Sequence, residues 1–113
     1  MRHVALTVLK KRTEFLRAAR GRRVVSAAFV LQGWNRKDTD GVRVGFTCSK
    51  KVGNAVARNR AKRRLRAAAS QVLPEYGMVG WDYVLIGRAT HTALRPFSDL
   101  TTDLRTALRK LHP

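Results

Sequence analysis

Nine cationic side chains, Arg43, Lys50, Lys51, Arg58, Arg60, Lys62, Arg63, Arg64 and Arg66, stand between Gly41 and Pro74, an interval with no Asp or Glu. Their chemistry is the capture of anions. An arginine guanidinium is a planar fork that meets two phosphate oxygens at once, and a lysine ammonium adds a mobile point charge. Neither breaks a bond. Groups that could break one are scarce: His3, His91 and His112 are scattered, no metal-ligand spacing occurs, and there is no nucleophile elbow. Asp99 and Asp103 share a helix face, but a two-metal nuclease site needs several converging carboxylates. The pair fits a solvated face instead, with Asp99 near a positive helix N-terminus. Gly33, Gly41, Gly45 and Gly53 make no phosphate-cradling loop, so no nucleotide cofactor is implied.

One helix must carry most of this charge. Gly53 supplies a turn, Asn54 an N-cap, and Pro74 a stop after a run rich in Ala and Arg. At about 100° per residue Ala57, Ala61, Leu65, Ala68 and Val72 form one narrow stripe, whereas Asn59, Lys62, Arg63 and Arg66 point away from it. A solvated face ordinarily mixes Glu with Lys to gain pairs four residues apart. Here the cations repel one another, and the missing counter-charge is that of a polyanion.

The whole chain has the same bias. Its 113 residues, enough for one domain with a modest core, carry 24 Lys+Arg against 7 Asp+Glu, a net charge of +17, with 44% hydrophobic residues. A folded polycation of this kind binds phosphate backbones strongly and in a salt-dependent way, whether RNA, DNA or an anionic membrane. The lone Cys48 excludes an intrachain disulfide and agrees with a reducing cytoplasm. MRHVALTVLKKR lacks the apolar core of a signal peptide, and the apolar run near Val24 to Leu31 is too short to span a bilayer.

In chain order, residues 1–11 form a basic, extended lead-in. Thr13 is expected to cap a short helix that Gly21 ends, with Glu14 in its first turn and Phe15, Leu16, Ala18 and Ala19 packing inward. Val24 to Gln32 is β-favouring, with a break near Ser26 and Gly33 closing the run, and Asn35 to Gly41 is a polar turn. Val42, Val44, Phe46 and Cys48 then alternate with polar or small residues, the period of a strand with one buried face, on which Cys48 is a small core residue. After the basic helix come a loop from Glu75 to Gly80 and a short strand from Tyr83 to Ile86. A final helix runs to about Leu111, with Phe97, Leu100, Leu104, Ala107, Leu108 and Leu111 as its stripe. The predicted class is α+β, a small sheet packed with about three helices in the order α-β-β-β-α-β-α.

Ser49 to Arg66, SKKVGNAVARNRAKRRLR, resembles the signature of the bacterial ribonuclease P protein subunit: two lysines, Gly-Asn-Ala-Val, an Arg-Asn-Arg core and a basic helix. The resemblance implies a single RNA-binding domain over residues 1–113. It also implies a mixed sheet in which the basic helix joins two parallel strands by a left-handed crossover, against the usual hand. The activity implied is removal of the 5′ leader from precursor tRNA. By the same resemblance a catalytic RNA subunit and its divalent metal, Mg²⁺, would perform the hydrolysis, and the protein would hold no metal or cofactor of its own and have no activity alone. Arg58, Asn59, Arg60, Lys62, Arg63 and Arg66 would grip the RNA subunit. Arg12, Phe15, Phe29, Lys50, Lys51 and Arg88 would hold the single-stranded leader in a cleft between the first helix and the sheet. Phe15 and Phe29 suit a core position equally well. Where many members carry rings, this chain has Ala19 and Gln32. The rival reading is a small basic ribosomal or RNA-chaperone protein. A major-groove DNA reader lacks the required upstream helix, since a strand pattern stands there.

Overall fold

The apolar run near Tyr83 becomes the centre of a five-stranded sheet. In a computed structural model that describes residues 6–113, the elements are β1 (Leu6–Val8), α1 (Arg12–Ala19), β2 (Arg22–Val25), β3 (Phe29–Asn35), β4 (Val42–Cys48), a 3-10 turn (Lys50–Val52), α2 (Ala55–Tyr76), β5 (Trp81–Gly87), α3 (His91–Leu94) and α4 (Phe97–Leu111). The strand order is β1-β4-β5-β3-β2, with β1 and β5 parallel to β4 and the two β3 pairings antiparallel. The parallel pair β4 and β5 is joined through α2. A strand flanked on both sides and covered on both faces needs an apolar run rather than alternation, and all of β5 from Trp81 to Leu85 is buried.

Side-chain parity divides the sheet into two unequal faces. Phe29 and Leu31 of β3, Val42 and Val44 of β4, and Trp81, Tyr83 and Leu85 of β5 face α2 and α4. There they meet Leu65, Ala68, Val72 and Leu73 of α2 and the α4 stripe from Leu100 to Leu111. The opposite face carries a smaller cluster, Leu9, Ala18 and Val84 with Phe15, Trp34 and Ile86, under α1 alone. The molecule is therefore three layers, one helix over one face and two long helices over the other.

Several elements differ from expectation. Leu6–Val8 of the lead-in pairs residue for residue with Val42–Val44 as a parallel edge strand; the rest of that segment, residues 1–5, lies outside the described residues. Thr13 does not cap α1. The N-cap is Lys11, and the Glu14 carboxylate, a charged and therefore stronger acceptor, takes the N–H of Lys11 at 3.0 Å and of Lys10 at 3.3 Å. Leu16 and Ala19 are exposed, leaving Ala18 and half-buried Phe15 as the packing residues of that helix. Gly33 sits inside β3, because a Cβ there would lie 2.5 Å from the Leu111 side chain; its role is to let α4 approach the sheet. Pro74 does not end α2, which continues to Tyr76 and closes with Gly77 N–H donating to the Leu73 carbonyl at 2.8 Å. A proline removes one donor, here the partner of the exposed Ser70 carbonyl, where water can substitute. The four-residue α3 had no counterpart in the sequence reading, so four helices stand where about three were expected.

The end of α4 is fastened by a pair of polar rings, Tyr83 buried and His112 half-buried. Tyr83 Oη accepts the Met78 N–H at 2.9 Å and lies within hydrogen-bonding distance, 2.7 Å, of His112 Nε2. Burial pushes the tyrosine up to about 12 and lowers His112 from its ordinary 6.5, with Arg22 adding to the fall. Because the folded protein resists protonation of His112, its contribution is complete above pH 6.5 and is lost as pH drops below that value. The thermal midpoint is expected to be flat from pH 8 to about 7 and to fall towards about pH 5. His112→Asn should remove most of that slope; an unchanged slope in the variant would exclude His112 as its source.

Candidate nucleic-acid interface

The basic helix starts where predicted. Gly53 takes φ +139°, open to glycine at little cost, and Asn54 Oδ1 accepts the Ala57 N–H at 2.9 Å. Ala61, Leu65, Ala68 and Val72 are buried together with Ala69 and Leu73, while Ala57 is half-buried. On the other side Asn59, Arg60, Arg63 and Arg66 are exposed and Arg58 and Lys62 half-exposed. These six lie within about 13 Å of helix axis. None of their cations belongs to an ion pair among the described residues. Two are oriented by neutral groups: Arg58 Nη1 donates to the Gly53 carbonyl at 3.1 Å, and the Arg66 guanidinium stands 5.4 Å from the Phe46 ring centre. The positive end of the helix macrodipole adds to the field at Asn54 to Arg58.

Arg64 behaves differently from its neighbours. Its Nη1 donates to the Ala93 carbonyl at 3.1 Å and its Nη2 to the Arg95 carbonyl, so it staples α3 against α2 rather than facing solvent. Four of the 7 acids are engaged elsewhere. Asp82 is bound by Arg36 and Arg43, Glu14 by Arg43, Asp38 by Arg36, and Asp103 by Arg95 through two hydrogen bonds of 2.8 and 3.1 Å. Asp103 is thus an ion-pair partner rather than part of a solvated acidic face. Among the described residues no group of three or more His, Cys, Asp or Glu comes together as a metal set. Cys48 is half-buried, and burial raises its thiol.

A second concavity, about 440 Å³, lies beside α1 and is lined by Lys10, Arg12, Phe15, Leu16, Gln32, Phe46, Thr47 and Val84. Arg12 and Phe15 of the predicted cleft set are here. The Phe15 ring lies on the sheet because Gly45 has no side chain; a Cβ there would stand 2.5 Å from it. Phe29 is not here. It is 1% exposed on the opposite face of the sheet, among the α2 and α4 residues, so it is a core residue and offers no ring to a ligand. Lys50 and Lys51 are exposed on the turn that leaves β4 just beyond Thr47. Arg88 is exposed at the end of β5 and donates to the Ser26 carbonyl at 2.8 Å, tethering the β2–β3 hairpin outside the groove lining. Gln32 is part of the floor, and Ala19 is exposed outside the lining at the far end of α1. Lys10 and Thr47 were missed; the parity of Thr47 in β4, opposite to Val44 and Phe46, is the sequence signal that identifies its face.

The ribonuclease P family model matches residues 5–112. The chain is similar to the ribonuclease P protein component of Ruegeria pomeroyi, 62% identical over 109 residues that cover 95% of this chain and 87% of that one. It is 55% identical over 103 residues to that of Gluconacetobacter diazotrophicus, covering 90% and 88% respectively. The fold is similar to the solved structure of the Staphylococcus aureus RNase P protein, with TM-score 0.74, 29% identity and coverage of 91% and 93%. The Thermotoga maritima RNase P protein shares the fold at TM-score 0.74 and 24% identity, over 90% and 94% of the two chains.

Two adjacent arginines test the division of α2 into a free and a stapled side. Arg64→Ala should lower the thermal midpoint, because two backbone carbonyls lose a charged donor, at a cost of roughly 1.5–3 kcal/mol. Arg63→Ala should leave the midpoint unchanged and reduce the slope of log affinity for RNA against log salt by about 0.7–0.9. Thermal denaturation and salt titration measure both, and equal stability losses would refute the division.

Proposed function

Because the chain belongs to the ribonuclease P protein family and is a protein subunit of ribonuclease P, we propose that it acts by binding RNA on two surfaces and leaves hydrolysis to an RNA partner. The observation that carries this reading is the outer face of α2, where Arg58, Arg60, Lys62, Arg63 and Arg66 have no acidic partner among the described residues. Those cations, with Asn59 reaching a base or sugar edge, hold the catalytic RNA subunit. We assign the divalent cations of the reaction, Mg²⁺, to that RNA. A cytoplasmic location agrees with this role, and no helix among the described residues is long and apolar enough to cross a membrane. Family membership disfavours the rival ribosomal or RNA-chaperone reading.

The groove beside α1 receives the single-stranded leader of precursor tRNA. Phe15 offers a ring for a base, Lys10 and Arg12 stand at the rim for phosphates, and Lys50 and Lys51 extend the cationic path past Thr47. With Gln32 where a ring could stand, Phe15 carries the stacking and the cations carry most of the rest. None of these groups reads a base edge in an obligatory pattern, so leaders of many sequences fit. The protein positions the precursor, and its contribution falls steeply with salt.

Phe15 and Phe29 separate this reading from a purely structural one. In the assembled enzyme, Phe15→Ala should weaken precursor tRNA binding by about 1–3 kcal/mol and leave mature tRNA, which has no leader, unaffected. Phe29→Ala should instead destabilise the fold by about 3–5 kcal/mol. Affinity measurements on both tRNA forms, alongside denaturant unfolding of each variant, check this. Equal weakening of precursor and mature tRNA by Phe15→Ala would refute the leader assignment.

A further inference from the structure

Another concavity, about 530 Å³, lies at the opposite end of β5 from the start of α2, lined by Arg17, Arg22, Trp34, Asn35, Lys37 and Trp81 among others. The end of β5 at Gly87 lies against Ala61 of α2, whereas Trp81 begins the strand, about 20 Å away along it. The groove exists because β3 outruns its edge partner. Pairing with β2 stops at Arg22↔Gly33, and β3 continues through Trp34 and Asn35 with β5 on one side only.

Its walls match a nucleotide strand. Trp34 is half-buried, packed in part against the cluster under α1, and lines the groove, whereas Trp81, 8% exposed, is already covered by the Arg22 guanidinium at 5.4 Å from its ring centre, so Trp34 is the ring left for a base. Lys37 is exposed and in no ion pair among the described residues. Its backbone is left-handed, φ 62°, a conformation that glycine adopts without penalty and lysine does not. The loop around it is built firmly. Arg36 donates to Asp38, Asp82 and the carbonyls of Asp40 and Gly41, and the Lys37 N–H donates to Asn35 Oδ1 at 2.8 Å. A rigid loop thus holds a charged side chain where the backbone alone would favour glycine. Arg22, Arg23 and Lys110 line a neighbouring concavity of about 410 Å³ that continues the cationic surface around the edge of β2.

We propose that this groove is a further binding site for single-stranded RNA, with a base stacked on Trp34 and phosphates on Lys37 and the cations beside β2. It is separate from both surfaces described above. The experiment titrates the free full-length protein with an oligouridylate of about ten nucleotides and follows tryptophan fluorescence. Quenching is expected in the wild type and in Arg63→Ala and Phe15→Ala, and should disappear in Trp34→Phe. Lys37→Gly is the decisive variant: its thermal midpoint should hold or rise. Its half-quenching concentration should rise about threefold to tenfold and its salt slope fall by about 0.7. Trp34-dependent quenching when the catalytic RNA is added to the free protein would identify that RNA as the source of the strand. Quenching that appears only with a long-leader precursor would identify the leader. Absence of Trp34-dependent quenching by the oligouridylate, or an affinity and salt slope untouched by Lys37→Gly, would overturn the proposal.

Discussion

One buried carboxylate organises the α1 side of this molecule. Asp82 is wholly inaccessible, and its oxygens accept from Arg36 Nη1 at 2.7 Å and from Arg43 Nε and Nη2 at 2.7 and 2.9 Å, with Arg17 3.9 Å away. Arg43 reaches on to Glu14 at 2.6 Å, and Glu14 holds the first turn of α1. A single residue of β5 is thereby tied to β4, to the β3–β4 loop and to the helix above the sheet. Removing one partner from such a buried cluster typically costs about 3–5 kcal/mol, because the remaining charge has no water to turn to. The Lys11 N–H, opposed in part by burial and aided by Arg43, holds the Glu14 carboxyl below its ordinary 4.5. Its contribution is therefore present above pH 4.5 and is lost as pH falls through the lower folded value. The seat of α1, and with it the groove wall that Phe15 forms, is acid-labile by construction.

The same network explains how a chain of net charge +17 folds while leaving a free cationic face. Glu14, Asp38, Asp82 and Asp103, four of the 7 acids, are consumed in pairs with Arg17, Arg36, Arg43 and Arg95, and none is within pairing reach of α2. Like charges at Arg58/Lys62, Lys62/Arg66 and Arg60/Arg64 each cost the helix about 0.2–0.5 kcal/mol. The burial of Leu65, Val72 and Leu73 outweighs that sum, since each such side chain contributes about 1.5–3 kcal/mol. Binding a polyanion turns the repulsion into attraction.

Local signals were legible, and signals that depend on what lies across the fold were not. The α4 stripe and the Asn54 cap stand in the structure as read, and so does the strand from Val42 to Cys48, although Phe46 and Cys48 at its end are half-buried rather than core residues; each signal is written in consecutive residues. The three residues of β1 have no period to detect, and their partners in β4 are 36 residues away in sequence. Pro74 was overvalued because only the exposure of Ser70 shows that a lost donor can be replaced by water. Arg63 and Arg64 are the same residue type one position apart, and only the carbonyls Arg64 meets at Ala93 and Arg95 separate an exposed cation from a staple. Phe29 misled for a similar reason. Its strand reads apolar on both faces, so parity could not be assigned without knowing which face α1 covers.

That asymmetry between the faces is also where the groove beside α1 comes from. The α2 and α4 side is covered by two helices of 22 and 15 residues, and the space between them and the central strands is filled with large aliphatic and aromatic groups. The α1 side is covered by a helix of 8 residues, too short to span the sheet, and its floor is made of small or polar groups such as Gln32, Gly45 and Thr47. Gly45 does double service, admitting the Phe15 ring to the sheet while keeping the floor shallow. A longer α1 would close the groove, and a larger residue at position 45 would displace the ring from it. The open ground on either side of α1 is what an eight-residue helix, pinned by Glu14 to Arg43 and through it to Asp82, leaves uncovered.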